Sequence, residues 1–238
     1  AESLGATATH LGLLFASYSI VQFFFAPIWG DISDRVGRKP MILMGLGGFG
    51  VSFILFGLAN SLWMLFAARI LGGTLSAATL PTVMAYVADT TDNRSRGGGL
   101  GLMGAAMGMG MIFGPVLGGV LGEYNPALPF FFAGGLAFAV LIFAWLLLPE
   151  SRTAEARAHA RTQARRNSLQ DVTGALRGPI GFVLIIAFLA TFAGANLEGT
   201  FALFSQKHLG FGETEMGLVF GVMGLVMALS QGLLVGRF

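Results

Sequence analysis

Two ionisable residues stand inside long apolar runs of this chain and give the first chemical lead. Arg69 lies about seven residues into the run Leu62–Ala88, roughly 10 Å deep at 1.5 Å per residue. Glu198 lies about 19 residues into the run Pro179–Phe204. A guanidinium at such depth faces water or an acid, or else snorkels to the outer interface. An embedded carboxyl group is a proton-binding site by default hypothesis, unless it reaches the interface or belongs to a loop. A third feature is the loop Gly30-Asp31-Ile32-Ser33-Asp34-Arg35-Val36-Gly37-Arg38-Lys39-Pro40. Its glycines suit a tight turn, Asp34 suits a helix N-terminus, and Arg35 and Arg38 can bridge to acids on neighbouring helices such as Asp89. A fourth is the spacing Gly101, Gly110, Gly114-Pro115, Gly118-Gly119. It offers a smooth face for close helix contact, with a bend at the proline.

The elements that position these residues are membrane helices. The 238 residues are 55% hydrophobic and 11% charged, against about 45–50% and about 25% in soluble domains. Seven runs are long enough to cross the hydrocarbon, which takes about 20 residues: His10–Trp29, Met41–Ala59, Leu62–Ala88, Gly98–Leu121, Leu128–Leu148, Pro179–Phe204 and Met216–Val235. They are too long for barrel strands and must be helical, because lipid leaves no partner for open backbone groups. Twelve Lys and Arg residues fall on alternate loops: Arg35, Arg38, Lys39, Arg94, Arg96, Arg152, Arg157, Arg161, Arg165, Arg166, Arg177 and Arg237. Lys207 alone falls on the other side. By the positive-inside rule the basic side is cytoplasmic. The stretch from Glu150 to Arg177 reads as a partly helical, solvated basic connector. No basic start of a cleavable signal peptide precedes Thr9. With no cysteine, disulfides, thiol chemistry and Cys metal sites are excluded. His10, His159 and His208 sit at span ends or in loops, so no catalytic pair for an intramembrane enzyme is expected, nor any metal site.

The chain repeats itself. Leu4-Gly5, Thr9 and Gly12-Leu13-Leu14-Phe15 match Leu209-Gly210, Thr214 and Gly217-Leu218-Val219-Phe220 at an offset of 205 residues. The first span then corresponds to the seventh. The unit is six helices, and an even number makes a parallel repeat. The expectation is an all-α integral membrane fold holding helices two to eight of twelve, with one helix wanting before Ala1 and four after Phe238. Its parts would be residues 1–148 (first half lacking its first helix), 149–178 (linker) and 179–238 (two helices of the second half).

The loop at Gly30–Lys39 resembles the signature G-x-x-x-D-R-x-G-R-[RK] of the major facilitator superfamily. Arg69-Ile70-Leu71-Gly72-Gly73 resembles that family's R-x-x-[QG]-G, with Gly72 in place of the polar Gln. The run from Gly101 to Gly119 resembles G-x8-G-x3-G-P-x2-G-G, which in the family accompanies antiporters. Glu198 and Gln22 stand where bacterial multidrug efflux pumps of the fluoroquinolone-exporter kind carry such residues. The resemblance implies a cytoplasmic gate at Gly30, Asp34, Arg35, Gly37, Arg38 and Asp89, closed in the outward-facing state. It implies proton coupling at Glu198 and Arg69, and an antiporter motif at Gly101, Gly110, Gly114, Pro115, Gly118 and Gly119. Pockets for lipophilic molecules are mostly aromatic with few polar groups. Tyr18, Gln22, Asn196, Phe201 and Phe204 are therefore the expected cavity lining.

The expected function is a proton-coupled antiporter of the cell membrane, exporting lipophilic or cationic drugs or related molecules by alternating access. The alternative is a symporter or exporter of a metabolite such as a sugar, disfavoured by the antiporter-like run. The expected partners are a lipophilic substrate and membrane lipids, not nucleic acid. The full-length protein is expected to work as a monomer, with the proton as coupling ion and no other cofactor.

Overall fold

The computed structural model describes residues 5–92, 95–162, 174, 176, 178 and 181–235, excepting the side chains of 8, 96, 100, 198, 199, 202, 203, 213 and 227–235. The described residues form helices α1 (Ala8–Val36), α2 (Arg38–Gly57), α3 (Leu62–Ser76), α4 (Thr79–Thr90), α5 (Arg96–Tyr124) and α6 (Leu128–Leu147). A short surface helix α7 (Ala154–Thr162) follows, then α8 (Gly181–Phe204), a π-type turn (Ser205–Leu209) and α9 (Glu213–Val235). No strand occurs among the described residues. Among the described residues, five helical stretches are long and apolar enough to cross a membrane. The sixth and seventh expected spans are helices of 24 and 23 residues, apolar over Gly181–Leu197 and Thr214–Val226 among the described residues.

The packing is that of a membrane bundle. Its most deeply buried residues are small or polar: Ala68, Ala77, Ala78, Ser33, Ser76 and Thr82 are at most 2% exposed, while Trp63, Leu102 and Leu147 are mostly exposed. Lipid provides no hydrophobic drive between helices, so close backbone approach replaces it. On α2, Gly45 and Gly48 admit Thr79 and Leu75, whereas Gly50 and Gly57 admit the rings of Phe138 and Phe131 of α6. Helix α2 is thus clasped between α3–α4 and α6, and α1 lies against α3.

Two helix boundaries differ from expectation. The first helix does not stop at Trp29. It runs through the signature loop to Val36, so a single residue, Gly37 at φ +127°, makes the whole turn into α2. The third span is interrupted at Ala77–Ala78. Pro81 has no N–H for the Ala77 carbonyl, the usual origin of a kink. Ala78 N–H bonds Leu75 O at 3.2 Å, and the Thr74 carbonyl that it leaves accepts the Trp29 indole N–H at 2.6 Å.

The repeat appears in the backbone. Helix α1 begins at Ala8 and α9 at Glu213, at the offset of 205 residues seen in the sequence. Gly5 and Gly210 both adopt left-handed φ, +74° and +67°. The helix starts are capped alike: Thr7 N–H donates to His10 Nδ1 at 3.1 Å, and Gly212 N–H donates to Glu215 Oε2 at 2.9 Å.

Candidate functional site

The C-terminal ends of α1 and α4 and the N-terminal end of α2 meet around one guanidinium. Arg38, 5% exposed, is the first residue of α2. Its Nε donates to Asp89 Oδ2 of α4 at 2.9 Å, one terminal nitrogen pairs with Asp34 at 2.7 Å, and the other donates to Ser33 Oγ at 2.6 Å. Arginine's fixed fork of donors allows three partners on two other helices at once. Arg152 extends the network, 3.5 Å from Asp34 and 3.9 Å from Asp89.

A second anion holds the backbone beneath. Glu150 accepts from Arg38 N–H at 2.8 Å and from Lys39 N–H at 3.2 Å, so a carboxylate sits at the positive N-terminal end of α2. A Cβ at Gly37 would lie 2.9 Å from the Glu150 Cδ. Lys39 Nζ donates to Trp145 O near the end of α6 at 2.7 Å. From α7, Arg157 and Arg161 donate to the Val36 and Arg35 carbonyls, both at 3.1 Å. These cations occupy the negative C-terminal end of α1.

Arg69 of α3 sits in a different environment. Its guanidinium lies over three rings, Phe56 at 4.8 Å, Phe15 at 5.4 Å and Tyr18 at 5.7 Å. It makes no ion pair among the described residues. Cation–π attraction strengthens when the cation is desolvated. Tyr18 OH shares a hydrogen bond with Ser76 Oγ at 3.0 Å and lies 3.5 Å from Gln22 Nε2. Gln22 lines a groove of about 300 Å³ with Ser19, Phe23, Ala26, Ala77, Leu80 and Pro81. At Gly72 the place of a side chain is filled by Ser52 of α2, and at Gly73 by the Tyr18 backbone of α1, its carbonyl 2.8 Å from a built Cβ. A Gln at position 72 has no room here.

Helix α5 packs chiefly on α9. A Cβ on Gly217 would come 2.5 Å from Pro115 O, one on Gly221 2.7 Å from Val116 Cγ2, and one on Gly224 2.9 Å from Met111 O.

The signature loop is therefore assembled as a site, with corrections. Arg38, Asp34 and Asp89 meet. The described ion pair of Arg35 is with Asp31 on its own helix, at 3.2 Å, because four residues of unbroken helix put the two on one face. Asp34 is in the last turn of α1, not at a helix N-terminus; the acid at that N-terminus is Glu150. Gly30 lies inside α1 with open space around it. In the Gly101–Gly119 run, Cβ atoms on Gly101, Gly110, Gly114 and Gly118 would meet nothing, so the close crossing is carried by the glycines of α9. Of the motif residues, Pro115 meets α9 through its carbonyl and Gly119 abuts it, with its Cα 3.4 Å from a Cβ built on Gly217. Asn196 bonds Phe192 O one turn back, Phe201 packs edge-on against Phe220 at 6.2 Å, and Phe204 lies on His208 at 4.9 Å. None of these contacts joins them to Tyr18 or Gln22. The Glu198 backbone is helical; its side chain, like that of Arg96, and the whole of Arg94, Arg165, Arg166, Arg177 and Arg237 lie outside the described residues.

Sequence reasoning missed Glu150, Arg152, Ser33 and Ser76. Glu150 is 112 residues from Arg38 in the chain, and the only hint was an acid just after the fifth apolar run.

The whole chain, residues 1–238, matches the Major Facilitator Superfamily. It is similar to the class H tetracycline resistance protein of Pasteurella multocida, 32% identical over 97% of this chain and 57% of the relative. It is similar also to multidrug resistance protein 1 of Bacillus subtilis, 35% identical over 100% of this chain and 60% of the relative. The crystal structure of the human organic anion transporter MFSD10 (TETRAN) superposes with a TM-score of 0.73 at 27% identity, covering 95% of this chain and 56% of that one. The chain thus spans somewhat over half the length of the relatives it matches. With its apolar helices, its signature loop built into a three-helix charge cluster and this likeness along its whole length, the chain is a multi-pass membrane protein belonging to the Major Facilitator Superfamily.

Proposed function

We propose that the whole protein is a secondary transporter, not an enzyme: a proton-coupled antiporter that exports lipophilic or cationic drugs by alternating access. The observation carrying this reading is identity of 32–35% over nearly the whole chain to tetracycline and multidrug resistance proteins. In this reading the Arg38–Asp34–Asp89 cluster is the cytoplasmic gate, and Glu198 with Arg69 couples the proton. Tyr18 and Gln22 line the drug cavity, with the proton as the coupling ion. The test is expression of the complete reading frame in a drug-sensitive bacterium, with a pH dye in everted vesicles. Resistance to tetracycline or lipophilic cations, with drug-evoked proton release, is expected. Absence of both overturns the proposal. A second reading, export of organic anions, is favoured by one observation: Arg69 is held by ring faces, with no acid opposite it among the described residues.

A further inference from the structure

We propose that Glu150 is the positioning residue of the gate: it fixes the first turn of α2 so that the Arg38 side chain aims at Asp89. The inference rests on the gate reading above and adds the residue that sets it. The Glu150 carboxylate takes the first two N–H groups of α2, at 2.8 and 3.2 Å, which have no partner inside the helix. Arg38 is the residue whose N–H it holds most tightly, so the anchored atom is one residue-length from the latch. Gly37 makes this geometry accessible twice over. Its φ of +127° is one that L side chains rarely adopt, and its missing Cβ leaves the volume in which the carboxylate lies. Arg152 N–H also donates to Glu150 Oε1, at 3.1 Å, which places the Arg152 guanidinium between Asp34 and Asp89. Two turns of chain further on, Arg157 and Arg161 hold the last carbonyls of α1. The segment from Glu150 to Thr162 is therefore a strap fastened to both ends of the α1–α2 turn, each by a charge opposite to the local helix dipole. Without Glu150, α2 loses the anion at its positive end and Arg38 loses its fixed backbone. The two aspartates, 42% and 24% exposed in their side chains, can then be solvated instead.

The chain has no cysteine, so spin labels can be placed at two introduced sites alone. Val36→Cys ends α1 and Thr90→Cys ends α4, and both positions are exposed. Continuous-wave EPR in proteoliposomes of the whole chain reads docked and undocked populations from dipolar broadening. Glu150→Ala is expected to raise the undocked-to-docked ratio about tenfold, and Glu150→Gln, which keeps one acceptor oxygen, about threefold, both with unchanged helical circular dichroism. Asp89→Asn should raise it likewise, and adding Glu150→Ala to Asp89→Asn should change it little more, because both act through one ion pair. If Glu150→Ala aggregates, Glu150→Gln is carried through the same cycle. Additive effects, or a Glu150 variant as docked as the parent while Arg38→Ala and Asp89→Asn undock, overturn the role of Glu150 and leave the gate standing. A docked signal in Arg38→Ala and Asp89→Asn overturns the gate itself, and the positioning role with it.

Discussion

Substituting alanine for Gly217 is predicted to loosen the α5–α9 crossing, whereas the same change at Gly114 leaves it intact. An added Cβ at 217 comes 2.5 Å from Pro115 O and 3.4 Å from the Gly119 Cα. The obstacle on both sides is backbone, which cannot rotate away. Ordinary contact begins near 3.4 Å, so α9 must retreat by about 0.9 Å. A gap of about 0.5–1 Å forfeits a quarter to a half of each dispersion contact, and here that loss extends along Gly221 and Gly224. Overpacking of this kind costs about 1–3 kcal/mol, far more than alanine's helix-propensity advantage of about 1 kcal/mol over glycine can offset at the upper end. At Gly114 nothing lies within 4 Å of the added atom, so only the propensity acts and the change is neutral or mildly stabilising. Unfolding of the detergent-solubilised chain by SDS, followed by circular dichroism, measures both. Equal losses at the two positions, or a larger loss at Gly114, would refute the assignment of the close contact to α9.

Four further outcomes follow from other sites. Gly37→Ala should cost about 1–3 kcal/mol in the same titration, since it combines a positive φ with collision against Glu150; an unchanged midpoint would contradict the observed turn. Arg38→Lys should weaken docking of α4 by about 1–2 kcal/mol, because an ammonium cannot span Asp89, Asp34 and Ser33 as the fork does; the spin-label ratio reports it. Trp29→Phe keeps a ring but strands the Thr74 carbonyl, at about 1–3 kcal/mol, visible as a lowered melting temperature. Glu198→Gln in the complete reading frame should abolish drug-evoked proton release while membrane insertion, checked by fractionation, persists; undiminished release removes Glu198 from coupling.

Residue order alone carried the apolar membrane helices, the repeat and the signature loop. Each depends on local hydrophobicity or local spacing, and a span must be helical in lipid whatever its neighbours. The offset of 205 residues even set where α9 begins relative to α1. Tertiary structure decided which groups meet across sequence distance. It put Glu150 rather than Asp34 at the start of α2, turned Arg35 back to Asp31, caged Arg69 in rings, and gave the tight helix crossing to Gly217, Gly221 and Gly224 instead of the glycines of α5. A glycine pattern states where a close approach is permitted, and a charge states what it seeks. Only the packed rotations of the helices determine which permitted face is used and which partner comes within 3 Å.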